Sequence, residues 1–179
     1  MMWAGRLIAV MFILHANMLA VWKWNNQQDS VNLKNETFTA KVIRIIDGDT
    51  MEVLYKNTPV KVRLAHIDCP EKRGSQPFGS NSKKALSDLC FGQDVVVYGE
   101  KYDRYHRLIA TVRNNKKQIV NQEMIRQGMA WHFKKYSTDP IYASLELQAR
   151  KNKIGLWKDP NPIPPWQWRK PKFRNALIR

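Results

Sequence analysis

Residues 38–71 read FTAKVIRIIDGDTMEVLYKNTPVKVRLAHIDCPE. The run from Phe38 to Ile46 is rich in β-branched side chains, Asp47-Gly48 supplies a turn, and Thr50 to Tyr55 can return alongside it as a hairpin. A second turn at Lys56-Asn57-Thr58-Pro59 leads into Val60 to Leu64. There the alternation puts Lys61 and Arg63 on one face and Val60, Val62 and Leu64 on the other. Further along, 94–98 and 108–112 read as two more strands, separated by a polar loop from Gly99 to His106. Helical periodicity covers about 78–91, 118–129 and 139–153, with stripes through Phe78, Ala85 and Leu89, then Ile119, Met124 and Ile125, then Leu145 and Leu147. Gly92, Gly128 and Gly155 are placed to terminate these helices. Five short strands with helices inserted and appended make an α+β pattern, and a small, partly open barrel would dispose of the exposed strand edges.

The same stretch carries the densest polar cluster. If 50–55 and 60–67 pair as antiparallel neighbours, Asp49 and Asp68 lie at one end of the sheet and offer the hard oxygen ligands that Ca²⁺ or Mg²⁺ requires. An EF-hand loop is excluded, because counting from Asp47 the twelfth position is Thr58 where a bidentate Glu is needed. Carboxylates at turns are commonly caps or solvated side chains. Here Arg63, Glu71 and a second arginine loop, Asp103-Arg104-Tyr105-His106-Arg107, accompany them. Phosphodiester hydrolysis needs those parts. Its transition state carries extra negative charge, which a metal ion and guanidinium groups neutralise, while a carboxylate outside the metal's shell orients or deprotonates water. Asp49 and Asp68 can be ligands, which leaves Glu71 as the base.

Asp47-Gly48-Asp49-Thr50-Met51-x-Val53, nine residues, then Arg63-Leu64-x-x-Ile67-Asp68-x-Pro70-Glu71 resembles the signature of the staphylococcal nuclease (thermonuclease) family. Residues 103–112 resemble the family's second motif, and the similarity runs from about Phe38 through Trp168, with Trp157 and the ending Pro164 to Lys170 similar to bacterial exported members. The resemblance implies an OB-fold five-stranded barrel with three α-helices, which hydrolyses DNA and RNA, single strands in preference, as a monomer using Ca²⁺, with Mg²⁺ or Mn²⁺ as alternatives. By motif position, Asp49, Asp68 and the backbone carbonyl of Cys69 bind the metal. Glu71 is general base, Arg63 and Arg107 hold the scissile phosphate and stabilise the transition state, and Arg104 and Tyr105 contact a terminal phosphate. Three positions depart from the family pattern. His106 replaces a usual Gly, which strains the loop if it requires positive φ; Cys69 replaces a usual Thr; and Trp131 to Tyr136 matches poorly where a base-stacking aromatic is expected, leaving Trp131, Phe133 or Tyr136 to substitute or to pack in the core.

Composition agrees with a polyanionic partner. The 179 residues hold 30 Lys+Arg against 15 Asp+Glu, a formal charge of +15, while 44% hydrophobic residues exclude a disordered basic tail. Charge alone does not choose nucleic acid over an anionic membrane. Two cysteines, Cys69 and Cys90, exclude a disulfide scaffold, and with four histidines they show no zinc spacing. Residues 1–22 read as an export signal or, if uncleaved, a membrane anchor through 7–22, so the protein is expected outside the cytoplasm. Residues 23–36 read as a linker, 37–158 as the domain, and 159–179 as a Pro/Trp-rich basic arm, extended and polyproline-like, that packs its rings on the domain. The other functional class to weigh is a non-catalytic OB module that binds nucleic acid. Such a module is expected to lack at least one of Asp49, Asp68, Glu71, Arg63 and Arg107, and all five are present.

Overall fold

The computed structural model describes residues 32–171, so the signal or anchor, most of the linker and the last eight residues of the arm lie outside the described residues. Among the described residues seven strands occur in chain order: β1 Thr37–Asp47, β2 Thr50–Tyr55, β3 Thr58–Leu64, β4 Ile67–Asp68, β5 Asp94–Tyr102, β6 Leu108–Arg113 and β7 Trp131–His132. The predicted hairpin forms, with Val42 opposite Val53 and Asp47 opposite Thr50. β3 follows antiparallel to β2, Thr50 facing Arg63. The sheet then closes in the order β1-β2-β3-β6-β5, where the β3–β6 seam is parallel. A partly open barrel was expected, and closure follows from the length of β1. Its first half, Thr37 to Lys41, pairs with β5, its second half pairs with β2, and register shifts between Val42 and Arg44 and between Ile45 and Asp47 bend the strand between these duties.

The barrel is filled by one face of each strand, including Val42, Met51, Val53, Val62, Leu64, Val97, Leu108 and Val112, all buried. Three helices appear where the periodicity places them: α1 Gly79–Cys90, α2 Val120–Arg126 and α3 Pro140–Lys151. The second is shorter than predicted. Ile119 is held in a bridge with Arg113, and the chain turns at Gly128 with φ 63°. In α3 the expected stripe is corrected. Leu147 is exposed, and Tyr142, Leu145, Glu146 and Ala149 form the buried face, as a 3.6-residue period requires of positions three and four apart. Pro140 occupies the first turn of that helix, and Asp139 accepts the Ile141 N–H at 2.8 Å as its cap.

Asn121 locks α2 to the barrel seam. Wholly buried, it accepts the Val112 N–H at 2.9 Å and donates to the carbonyls of Ala65 and Ala110 at 3.0 and 3.1 Å. The barrel's parallel seam has only three paired positions, so this amide supplies bonds the ladder lacks. Beyond β3, the short β4 pairs antiparallel with β7, Asp68 opposite Trp131, so the second acidic residue sits on a separate two-stranded ladder that keeps it within reach of Arg63. Among the described residues no helix is long and apolar enough to cross a membrane.

The arm differs from the extended chain predicted for it. Residues Pro165–Trp168 form one helical turn, α4, because Pro164 sits at its cap and Pro165 at its first position, where a missing N–H costs nothing. The rings do pack. Trp166 lies edge-on to Trp131 at 5.5 Å and parallel to Phe133 at 5.7 Å, and Gln76 donates to the Ile163 carbonyl at 2.8 Å.

Candidate active site

Asp49 follows the β1–β2 turn at Gly48, where an added Cβ would lie 2.7 Å from Ser82 Cβ and 2.8 Å from Cys69 Cβ. Only glycine lets this turn close against α1 and the loop after β4. The Asp49 carboxylate is nearly buried; Oδ1 accepts the Thr50 hydroxyl at 2.8 Å and Oδ2 accepts the Cys69 N–H at 3.2 Å. Arg63, on the outward face of β3, forks across two acids. Nη1 pairs with Asp49 Oδ2, and Nη2 lies 2.9 Å from Asp68 Oδ1. The Asp68 side chain is 0% exposed, so the pair is held almost free of water.

Burial would push the Asp49 carboxyl up, but the charge and hydrogen bond of Arg63, with Thr50 and Cys69 assisting, outweigh it and hold the group below the usual carboxylate range. Asp68 goes the other way. Desolvation and the nearby Asp49 charge raise it against the hydrogen bond of Arg169 and the charges of Arg63 and Arg169. Arg63 pays desolvation as well, and the two carboxylates return more than that, so it stays charged.

Glu71 stands on the loop after β4. Its N–H donates to Gln76 Oε1 at 2.9 Å, and its backbone carbonyl is so close to Gly79 that a Cβ there would sit 2.4 Å away. Burial raises its carboxyl, and so do the charges of Asp49 and Asp47, against the opposing pull of Arg169. In the sequence that last residue is only one cation of a basic tail. Here Arg169 Nη1 lies 2.5 Å from Glu71 Oε1 and 3.2 Å from Asp68 Oδ1, and Nη2 lies 2.5 Å from Asp68 Oδ2. No local pattern announces it, since it approaches from 101 residues away.

The remaining predicted residues form a second group. Asp103 organises them: Oδ1 accepts the N–H groups of Tyr105 and Arg107 at 2.9 and 3.0 Å, and Oδ2 pairs with Arg107 through Nε at 2.8 Å and Nη2 at 2.7 Å. Arg104 donates to the Tyr105 hydroxyl at 2.7 Å, and the guanidinium groups of Arg104 and Arg107 lie 4.8 and 5.4 Å from that ring. Tyr105 is exposed. His106 adopts φ 57°, the strained left-handed conformation anticipated for a residue in place of glycine. Arg107 immediately precedes β6, which runs parallel to β3 with Ile109 beside Arg63, so the two arginines stand on the same outward face of adjoining strands. The structure thus joins Asp49, Asp68 and Arg63 directly, links Glu71 to Asp68 through Arg169, and carries the Arg107 group on the adjoining strand.

Of the doubtful aromatics, Trp131 is core, buried edge-on against Trp157 at 4.4 Å. Phe133 and the exposed Tyr136 pack edge to face at 4.9 Å and, with Trp166, Lys134, Lys135 and Lys170, line a groove of about 650 Å³. Both cysteines are buried free thiols; Cys90 on α1 donates to the Leu86 carbonyl, and burial pushes it up to about 12.

Residues 61–159 match the family described as staphylococcal nuclease homologue. The chain belongs to the staphylococcal nuclease family. It is 51% identical over 144 residues to an uncharacterized endonuclease of Haemophilus influenzae, covering 80% of this chain and 79% of the relative. A further uncharacterized endonuclease, from Escherichia coli O157:H7, is 42% identical over 72% of this chain and 83% of its own length. The micrococcal nuclease of Shigella flexneri is 40% identical over 74% and 81%. The segment matched to the nuclease family contains Arg63, Asp68, Glu71 and Arg107. Asp49 precedes it and Arg169 follows it, both brought back by the fold.

A metal ion at this acidic cluster fits the donor chemistry. Asp49 and Asp68 present buried carboxylate oxygens converging on one cationic group, and a second guanidinium, Arg169, already stands as a positive charge against Asp68 and Glu71. Among the described residues no three His, Cys, Asp or Glu side chains gather as a complete ligand set. Two carboxylates, a carbonyl and waters suit a hard cation that keeps part of its hydration.

Proposed function

We propose that the protein is a metal-dependent nuclease that hydrolyses phosphodiester bonds of DNA and RNA with little sugar specificity. The observation that carries this reading is the Arg63 fork across Asp49 and Asp68 with Glu71 fixed beside them. The endonuclease and nuclease names of the relatives support the same activity class. Asp49, Asp68 and the Cys69 carbonyl would hold Ca²⁺, with Mg²⁺ or Mn²⁺ as alternatives. When bound, the ion supplies Lewis-acid polarisation and charge neutralisation at the phosphate.

Glu71 accepts a proton from the attacking water, and burial raises its affinity for protons above that of an ordinary carboxylate, which makes it a stronger base. Arg63 uses one N–H on each of two carboxylates, which leaves donors of its five for a phosphate oxygen. Arg107, held by Asp103, approaches from the adjoining strand and shares the transition-state charge. Arg104 and Tyr105 receive a terminal phosphate. The groove beside Phe133, Tyr136 and Trp166 offers ring faces and lysines to successive bases of a single strand, a platform that tolerates any sequence.

We further propose that the protein acts as a monomer outside the cytoplasm, exported through or anchored by residues 1–22; sequencing the mature N-terminus after cell fractionation tests this. The activity is tested by incubating purified protein with single-stranded DNA and with RNA in calcium. Both should be degraded, and chelation should stop it. A protein that binds both strands and cuts neither would instead be the non-catalytic OB module.

A further inference from the structure

Arg169 places its guanidinium where the proposed metal site and the proposed base both need open oxygens. It takes both oxygens of Asp68 and one of Glu71, while Arg63 takes the remaining approach to Asp68. The contact is built rather than incidental. Gln76, itself buried, accepts the Glu71 N–H through Oε1 and donates through Nε2 to the Ile163 carbonyl within the arm, so one side chain sets the distance between the base and the arm. Buried Pro165 and the rings of Trp166 hold the following turn. Arg169 is therefore delivered by a segment anchored at three other points, while its own side chain remains 42% exposed.

We propose that Arg169 is a displaceable counter-cation of the acid cluster: it neutralises Asp68 and Glu71 in the metal-free protein and yields those oxygens to a divalent cation. The inference rests on the metal-dependent reading of the site. Asp68 already meets two guanidinium groups, Arg63 at Oδ1 and Arg169 at both oxygens, so a divalent cation approaching those oxygens meets the charge of Arg169 directly and must displace it. The guanidinium has solvent beside it, so it can leave by rotating its own side chain, with the arm still docked through Gln76 and Trp166. What it does energetically is lower the apparent metal affinity by the fraction of time the site is open. It also keeps Glu71 from acting on water until the ion is present.

The test uses the full chain, stripped of metal and free of nucleic acid, so that no activity enters the readout. Calcium and terbium binding are measured by calorimetry for wild type, Arg169→Ala and Arg169→Lys. With the site open a tenth of the time or less, Arg169→Ala should bind the ion about tenfold tighter or more. Arg169→Lys should fall between, because a point charge lacks the fork that holds both Asp68 oxygens. In the wild type, the Arg169 Nε–H resonance, assigned by its loss in Arg169→Lys, should move to the position of a free arginine as calcium saturates the site. That measurement stands even if Arg169→Ala folds poorly. Equal or weaker metal affinity in a folded Arg169→Ala protein, or an Arg169 resonance indifferent to bound calcium, overturns the counter-cation and leaves the metal site standing. Absence of metal binding in all three proteins overturns the metal site and the counter-cation with it.

Discussion

Replacing Arg63 by methionine, Arg63→Met, keeps the length and apolar stem of the side chain and removes the charge that Asp49 and Asp68 share. The Arg63 side chain is 13% exposed and its partners 11% and 0%, so these carboxylates are not rescued by water. Removing one partner of a buried pair costs about 3–5 kcal/mol. Asp68 keeps Arg169, and Asp49 keeps the Thr50 hydroxyl and the Cys69 N–H, which places the loss at the lower end, about 3 kcal/mol. In urea, with a slope of about 1–3 kcal/mol per molar, the midpoint should fall by roughly 1–3 M. The sign with pH follows from Asp49. Its folded value is depressed, so in the wild type its contribution is present above the ordinary 3.8 and lost as pH falls through the lower folded value. In Arg63→Met the same carboxyl is raised instead. The penalty should therefore be full at pH 7 in chelator, shrink as pH falls through the raised value of Asp49 in the variant, and be smallest once pH is below its depressed value in the wild type. Calcium should narrow the gap at pH 7, because a bound cation restores charge to the two acids. A loss under about 1 kcal/mol, or one that is the same at pH 3.5 and pH 7, would refute the claim that this fork balances two desolvated carboxylates.

The Arg107 loop makes a coupling prediction: Arg107→Ala should lower kcat/KM by about 10²–10³, Asp103→Ala by about tenfold, and the double variant no more than Arg107→Ala alone, as steady-state kinetics would reveal. If the two losses add, Asp103 does not act through Arg107. At His106, with φ 57°, His106→Gly should stabilise the protein by up to about 1 kcal/mol in thermal or urea unfolding, since glycine adopts that conformation without strain. A destabilised variant would mean that the imidazole makes a contact worth more than the strain it carries.

How much of this was legible in the sequence differs from element to element. The hairpin and third strand were readable because β-branched runs, Asp47-Gly48 and the Val60-Lys61-Val62-Arg63-Leu64 alternation are local signals, and they sufficed to bring Asp49 and Arg63 to one end of the barrel. Closure was not readable, because it depends on β1 serving two partners around bulges that no turn residue marks. Leu147 was misplaced by hydrophobicity, since only the helical angle from Leu145 sends it to solvent while the charged Glu146 goes inside, paired with Arg150 and Lys134. The helical turn at Pro165 was hidden by the proline count, although proline suits the position it occupies there. Arg169 could not be assigned at all, because its partners lie about a hundred residues upstream and a basic tail reads alike whether it is solvated or inserted.

Glu71→Gln, compared with wild type for both cleavage and binding of single-stranded DNA in calcium, is the most direct measurement of the account. The amide keeps size and hydrogen bonding and removes the proton acceptor, so single-turnover cleavage should fall by about 10²–10⁴ while the dissociation constant stays within a few-fold. Cleavage at the wild-type rate by Glu71→Gln would contradict the assignment of the base and, with it, the proposed mechanism.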